Sequence, residues 1–475
     1  MQAEKAKRRA PIGTLGLLAL IFLTVSGGPY GLEPMVASIG GRATLALLLV
    51  VPVLWSLPIA LMAAELASAL PLLGGYYQWV RLAAGDFWGF QEGWWGWLFT
   101  WVDMPLYPVL CGAIMRQGWP MFTGHALSNA ATMAFVLSFI WLAAILNLRG
   151  ARFISRYAMV SSVAVMAPFV ALVLAAWWRA PAYAVPAAAL GHASGQPLGW
   201  AGWAVALSTV MWNYAGWDNV ATFAPDVHRP HHTYPRALFW GLVLITLGYV
   251  LPVAAGLHLD PVAAHWSNGY FVRLGALALG TRLAPAVALT MTLTAILSAW
   301  AQYTGQLLYV VPLPMSLAQD GFLPRWLLGR NRHGAAWQAV LVCTVLYSLF
   351  VWVSFTNLLA LDVLFDIAGL SLEFVALWIL RRRPAAATAA VGANAKAAAQ
   401  HGEPPPFRIP LSGWKLLPVC CAPMGLAVAM LALAIKQQPR FAGTAVALLA
   451  TGPLLYWFLS ARRPAAVAAA GGSYR

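Results

Sequence analysis

Hydrophobic residues come in long uninterrupted runs along this chain, and polar residues fall between the runs rather than alternating within them. A half-buried strand alternates apolar and polar with period two, so these runs are not strands; a transmembrane barrel fails for the same reason. Each run is close to the roughly 20 residues a helix needs to cross a bilayer. Hydrocarbon offers the backbone no water, so each run must satisfy its own N–H and C=O groups as a helix. Twelve spans are predicted, at about 12–40, 43–69, 87–115, 127–147, 153–178, 203–227, 236–258, 283–310, 337–357, 361–381, 414–436 and 441–460. The expected fold class is all-α, a polytopic membrane protein.

Composition agrees: 61% of residues are hydrophobic and 9% charged, against about 25% charged in a soluble domain. The formal charge of +15 would suggest nucleic acid in a soluble protein. Here its distribution says otherwise. With the N-terminus inside, 22 of the 29 Lys and Arg residues fall on the inner side. The outer side keeps seven: Arg42, Arg116, Arg179, Arg273, Arg282, Lys436 and Arg440. That asymmetry follows the positive-inside rule and predicts a multi-pass protein of the cell membrane with both termini cytoplasmic. Membrane lipid, not nucleic acid, is the expected surroundings. Lys5, Lys7, Arg8 and Arg9 before Ile12–Val25 could open a signal peptide, but no small-x-small cleavage site follows. Cys111, Cys343, Cys420 and Cys421 lie in apolar runs without zinc-type spacing and read as small core residues.

The predicted organisation is a cytoplasmic N-terminus (1–11), a ten-span core (12–381), a cytoplasmic linker (382–413), two peripheral spans (414–460) and a cytoplasmic tail (461–475). Within the linker, residues 384–406 run from Pro384 through an Ala-rich stretch to Pro404-Pro405-Pro406, too polar and broken to pack.

Two spans are interrupted at matching places. Span 1 contains Ser26-Gly27-Gly28-Pro29-Tyr30-Gly31, whose glycines and proline oppose a continuous helix. Span 6 contains Asn213-Tyr214-Ala215-Gly216-Trp217-Asp218-Asn219. These open two sets of five spans, 12–178 and 203–381. Five is odd, so the second set enters the membrane upside down, the inverted repeat of many secondary transporters. A broken helix offers N–H groups to a carboxylate on one half and carbonyls to a cation on the other.

Carboxylates inside spans are costly and default to functional candidates. Glu33, Glu65, Glu92, Asp103, Asp218 and Glu373 are the ones to weigh. Asp362 and Asp366 are expected at the outer interface, at the start of span 10. Glu92 and Asp103 are eleven residues apart, about three turns, and share one face with Trp95, Phe99 and Tyr107 nearby. Such a face suits a cavity that holds a cation by charge and aromatic contact. Asp218 could bind solute or cap the second half-helix. Glu65 reads as a gate or structural residue. Thr290, Thr294 and Ser298 share a face of span 8 and could bond between helices or line a path. No lysine lies mid-span, so a carboxylate is the better proton carrier.

The chain resembles the amino acid–polyamine–organocation superfamily, and within it the polyamine-uptake carriers related to the L-type amino acid transporters. The resemblance rests on Val25-Ser26-Gly27-Gly28-Pro29-Tyr30-Gly31-Leu32-Glu33, Ala64-Glu65-Leu66-Ala67, Gly74-Gly75-Tyr76-Tyr77, Phe87-Trp88-Gly89-Phe90-Gln91-Glu92-Gly93 and Leu106-Tyr107-Pro108-Val109-Leu110. Trp212-Asn213, Trp217-Asp218, Trp266-Ser267-Asn268-Gly269-Tyr270-Phe271 and Phe407-Arg408-Ile409-Pro410-Leu411 continue it. It implies a LeuT-like fold of twelve helices and proton-driven uptake through a central site between spans 1, 3, 6 and 8. The substrate residues are then Ser26, Gly27, Gly28, Tyr30, Asp103, Tyr107, Trp212, Asn213, Trp217, Asp218 and Tyr303. Glu92, Asp103, Asp218 and Glu33 are the proton-coupling candidates.

Two departures bear on the substrate. Span 8 reads Ser298-Ala299-Trp300-Ala301-Gln302-Tyr303, and Pro34 follows Glu33, where the polyamine carriers hold acidic residues. Less negative charge makes an amino acid, its carboxylate on the Gly27-Gly28 half-helix end, as fitting as a polyamine. A solute-sensing transceptor and an exchanger of neutral or cationic amino acids are the alternatives. An enzyme is not expected, since no nucleophile–base pair or metal motif lies in the spans. His228, His231 and His232 read as a solvated loop rather than a metal site, and no cofactor is expected.

Overall fold

A computed structural model describes residues 12–123, 125–178, 199–222, 224, 227–267, 269–280, 282–353, 355–382, 406–437 and 439–461. The expected N-terminal segment, most of the linker and nearly all of the tail lie outside the described residues. The rest is helical. In order the α-helices are α1 Thr14–Val25, α2 Glu33–Ile39, α3 Gly41–Val51, α4 Leu57–Ala69, α5 Tyr76–Ala84 and α6 Asp86–Thr123. Then come α7 Asn129–Asn147, α8 Ala151–Trp177, α9 Trp200–Asn213, α10 Pro230–Leu259, α11 Tyr270–Leu279 and α12 Ala284–Val310. The last are α13 Pro312–Gln319, α14 Trp337–Phe350, α15 Phe355–Arg382, α16 Leu417–Gln437 and α17 Pro439–Ser460.

Most predicted spans fall on one of these helices or on a pair of them; of the sixth, 203–227, only the part up to Asn213 lies on an α-helix, α9. Among the described residues, seven helical stretches are long and apolar enough to cross a membrane. Their perimeter stays apolar: Val160 and Val163 are each 71% exposed and Trp457 78%. A soluble protein would bury such side chains, whereas lipid solvates them.

Helix α6 is the central column. Its 38 residues span about 57 Å at 1.5 Å per residue, and α5, α7, α12, α14, α15 and α17 all pack on it. Gly89, Gly93 and Gly96 form a small-residue stripe on α6 against which Arg81, Tyr77 and Tyr76 of α5 lie. This lets the short α5, a helix sequence patterning missed, approach closely.

Both predicted breaks are present. Helix α1 stops at Val25, and Gly27, Gly28 and Gly31 take φ of +61°, +98° and +90°, a region that side chains with Cβ avoid. The chain resumes as α2, with Pro34 in its first turn, where no helical N–H is needed. Helix α9 stops at Asn213; Gly216 takes φ +91°, and a 3-10 turn follows at Asn219–Thr222. Between α3 and α4 a π-helical segment, Pro52–Ser56, faces the second break. Ser56 donates to the Tyr214 carbonyl at 3.3 Å, and the Tyr214 hydroxyl donates to the Leu48 carbonyl at 3.0 Å.

One expectation is corrected here. Asp362 and Asp366 do not begin a helix at an interface. Helix α15 starts at Phe355, so both lie well inside it, and Asp362 is 3% exposed. The polar Thr356 and Asn357 hid the helix start in the sequence.

Ion pairs gather at the end of the bundle that carries α5. Arg81 pairs with Asp86 at 2.8 Å and Asp320 at 2.6 Å, and the Tyr77 hydroxyl donates to Asp320 at 2.6 Å. Burial and the neighbouring Asp320 carboxylate push the Tyr77 phenol well above its usual range, so it stays a donor. Nearby, Arg381 of α15 forms a two-pronged pair with Glu65 of α4 and also donates to the carbonyls of Ile409 and Leu411. The Ile409 N–H donates to Glu65 at 2.8 Å. Breaking one side of a buried pair strands the other charge, at about 3–5 kcal/mol. Arg381→Ala is therefore expected to destabilise by that amount, read as a clear fall in unfolding temperature in detergent. An unchanged temperature would show that the pair is dispensable.

Candidate functional site

A cavity opens where the two breaks meet α6 and α12. It is lined by Val25, Ser26 and Tyr30 from the first break and by Tyr107 and Leu110 from α6. Trp212 and Asn213 come from the end of α9, and Ala295, Ser298, Ala299 and Gln302 from α12. Among the described residues the wall is aromatic, hydroxyl- and amide-bearing, with no charged side chain.

The first break shapes one side. Ser26 Oγ accepts from the Gly28 N–H at 3.0 Å, and Ser298 Oγ donates to the Gly27 carbonyl. Gln302 Nε2 reaches Ser298 Oγ at 3.3 Å, and its side chain fills the space a Cβ on Gly27 would need. Tyr30 packs edge-on against Phe169, with 4.7 Å between centroids. Its hydroxyl donates to the Met291 carbonyl at 3.0 Å and lies 2.7 Å from Thr294 Oγ1. The span 8 hydroxyls at 294 and 298 therefore bond across to the first break.

The opposite wall hides a carboxylate. The rings of Tyr107 and Trp212 stand 6.0 Å apart, and Asp103 lies behind them, 4% exposed. The Tyr107 hydroxyl donates to Asp103 Oδ1 at 3.4 Å, and the Trp212 side chain also hydrogen-bonds the Asp103 carboxylate. Gln306 Nε2 donates in turn to the Tyr107 hydroxyl. The ordered chain Gln306→Tyr107→Asp103 connects the cavity wall to a buried acid.

Of the residues expected to bind substrate, Ser26, Tyr30, Tyr107, Trp212 and Asn213 line this cavity; Gly27 and Gly28 are not among the lining residues but hydrogen-bond to Ser298 and Ser26, which are. Asp103 sits one hydrogen bond behind. Asp218 lies in the second break, 6% exposed, bonded to its own backbone N–H. Trp217 and Tyr303 are not among the lining residues. Trp217 is fully buried near Gly241 of α10, its indole N–H on the Tyr214 carbonyl at 2.8 Å. Tyr303 faces Phe139 of α7 and Tyr347 of α14. Gln302 was missed; its signal was a polar residue four positions after Ser298, one turn along the same face.

The coupling candidates separate as well. Glu33 is 1% exposed and accepts the N–H groups of Gly31 at 2.8 Å and Gly269 at 3.1 Å. It ties the first break to the segment ahead of α11. Glu92 is also 1% exposed, with Oε2 lacking a hydrogen-bond partner. Glu373, which sequence alone could not place, is 2% exposed on α15, its Oε2 likewise unpartnered.

Known proteins resemble this chain along most of its length. The amino acid permease family matches over residues 12–459. A probable polyamine transporter of Arabidopsis thaliana is 30% identical over 453 residues, covering 94% of this chain and 84% of its own length. Polyamine transporter PUT1 of Oryza sativa subsp. japonica is 31% identical over 432 residues, 89% of this chain and 74% of that protein. Polyamine transporter RMV1 of Arabidopsis thaliana is 31% identical over 392 residues, 79% of this chain and 74% of that protein.

Proposed function

The chain belongs to the amino acid permease family, and from that premise we propose that it is a proton-coupled importer of polyamines, with amino acids as the second substrate class. It is a multi-pass membrane transporter, not an enzyme. In our reading it crosses the membrane twelve times as two inverted five-helix repeats plus a peripheral pair, with both termini in the cytoplasm of a cell membrane. Substrate enters the cavity between spans 1, 3, 6 and 8, and the protein alternates access around it.

One observation carries the substrate assignment. The cavity wall is Tyr30, Tyr107 and Trp212 with Asp103 bonded directly behind, and it holds no basic side chain. Aromatic faces and a desolvated carboxylate attract an ammonium group, each cation–π contact contributing about 0.5–2 kcal/mol. The names of the relatives point the same way. An amino acid fits the same space if its carboxylate takes the N–H groups of the first break. The Gly28 N–H is already engaged by Ser26, which favours the carboxylate-free amine.

The test is uptake of labelled putrescine, spermidine and amino acids into proteoliposomes under an imposed pH gradient. Putrescine and spermidine are expected to accumulate with the gradient and to lose accumulation when it is collapsed. Uptake of none of these, or uptake indifferent to the gradient, refutes the proposal.

A further inference from the structure

Helix α15 carries acidic residues that the substrate cavity does not use. Asp362, Asp366 and Glu373 are spaced four and then seven residues apart, which puts them on one stripe of the helix, with Gly369 between them. Glu92 and Asp103 of α6 repeat the interval of eleven residues that separates Asp362 from Glu373. The two stripes face each other. A Cβ on Gly369 would lie 3.2 Å from Glu92 Oε1, so the missing side chain makes the seat in which the Glu92 carboxyl rests. Asp362 feels the charge of Asp103 at one level, and Glu373 that of Glu92 at the other. Asp366 lies within reach of both levels, and Asp218, from the second break, within reach of Glu92, Glu373 and Asp366.

Six carboxyls thus run along the α6–α15 seam. Glu92, Asp103, Asp362 and Glu373 are 1–4% exposed. Among the described residues the ion pairs are Arg81–Asp86, Arg81–Asp320, His265–Asp260 and Arg381–Glu65, so no described cation pairs with the seam. The other titratable side chains that face it are phenols: Tyr76 of α5, Tyr309 of α12 and Tyr107 of α6. Glu92 Oε2, Asp362 Oδ1 and Glu373 Oε2 are buried with no partner at all. A bare buried carboxylate oxygen costs several kcal/mol, and six neighbouring carboxylates cannot all be charged in a water-excluded space. Something positive must occupy the seam. Among the described residues no three His, Cys, Asp or Glu side chains converge closely enough to hold a metal ion.

We propose that Glu92, Asp103, Asp218, Asp362, Asp366 and Glu373 form a proton-binding track along the α6–α15 seam, separate from the substrate cavity and joined to it only at Tyr107–Asp103. This rests on the transport reading above and names the side chains that carry the coupled ion. Each transfer moves one proton from a carboxyl O–H to the neighbouring carboxylate, directly or through a phenol such as Tyr76, and charge is conserved at every step. Substrate arriving at Tyr107 and Trp212 changes the hydrogen bonds on Asp103 and so the occupancy of the track's one junction.

The experiment separates coupling from binding. Wild type, Glu373→Gln and Asp362→Asn are reconstituted, and two readouts are taken: putrescine accumulation under a pH gradient of about one unit, and putrescine counterflow without a gradient. One coupled proton supports about tenfold accumulation under such a gradient. The variants are expected to fall to no accumulation while counterflow stays within about threefold of wild type. Wild-type accumulation in both variants overturns the track. Weakened counterflow with accumulation intact overturns it too, by making the seam a substrate subsite; sodium restoring accumulation would make it a metal-cation site instead. Absence of any wild-type uptake would defeat the transport reading itself. For a variant that fails to fold, infrared spectroscopy of the wild-type protein decides. At neutral pH it should show the carbonyl stretch of protonated carboxylic acids, shifted in frequency in Glu373→Asp and diminished on alkalinisation, and its absence overturns the proposal.

Discussion

Asp103→Asn is expected to slow putrescine uptake by roughly 30-fold or more, which corresponds to about 2 kcal/mol. The substitution is informative because it changes so little else. Asparagine has the same shape, and its carbonyl oxygen accepts from Tyr107 and Trp212 as the carboxylate does. The cavity wall therefore keeps its form, and what disappears is one negative charge and one place for a proton. Hydrogen bonds and contacts to a charged group are worth about 1.5–3 kcal/mol, and more when water is excluded. Asp103 belongs both to the substrate wall and to the end of the acidic seam, so this variant should lose affinity and coupling together. Initial uptake rates and substrate-induced thermal shifts measure both. Wild-type rates would remove Asp103 from the site.

Gly75→Ala should be the most damaging change outside the cavity, at about 2–6 kcal/mol. Gly75 precedes α5 with φ +42°, and its Gly74 neighbour donates to the Thr222 carbonyl at 2.8 Å. A Cβ at 75 would sit 2.7–2.9 Å from backbone atoms of Ala221 and Thr222. Backbone cannot rotate aside as a flexible side chain can. The turn ahead of α5 would lift off the second break, which Thr222 also ties to the Tyr309 carbonyl of α12 at 2.9 Å. Gly85→Ala is the matched control: φ is +89°, but nothing lies within 4 Å of its Cβ position. The control should lose only the strain of an unfavourable φ, about 1–3 kcal/mol. Equal unfolding temperatures for the two variants would show that the contact at 75 carries no weight.

The helical runs and both breaks were readable in the sequence, because length, apolarity and clustered glycine and proline are local properties. Helices α5, α11 and α13 were not readable. They are short, and their composition mixes aromatic, basic and apolar residues without the long apolar run that marked the spans. Residues singled out in the first break and in α6 include Ser26, Tyr30 and Tyr107, which line the cavity, but the sequence did not show which of the singled-out residues would reach it. Trp217 and Tyr303 carry the right chemistry but point away, since a register on one helix does not reveal which neighbour it meets. Asp362 and Asp366 were assigned to an interface because span 10 was started six residues late. That small boundary error concealed a second acidic stripe. It also made the chain look poor in buried negative charge, which α15 carries away from the cavity lining.

The Glu65–Arg381 pair has a practical corollary. Helix α15 ends at Arg382, and when the described part of the chain resumes it is held at Ile409 and Leu411 by the Arg381 guanidinium, with Ser68 donating to the Phe407 carbonyl at 3.4 Å. Both ends of the intervening stretch are anchored at one spot, so its own length does not set the spacing of the helices it joins. Doubling a loop whose ends are already together costs only about 0.6 kcal/mol. Foreign sequence such as a fluorescent reporter, an affinity handle or a protease site can be spliced there without pulling on α15 or α16.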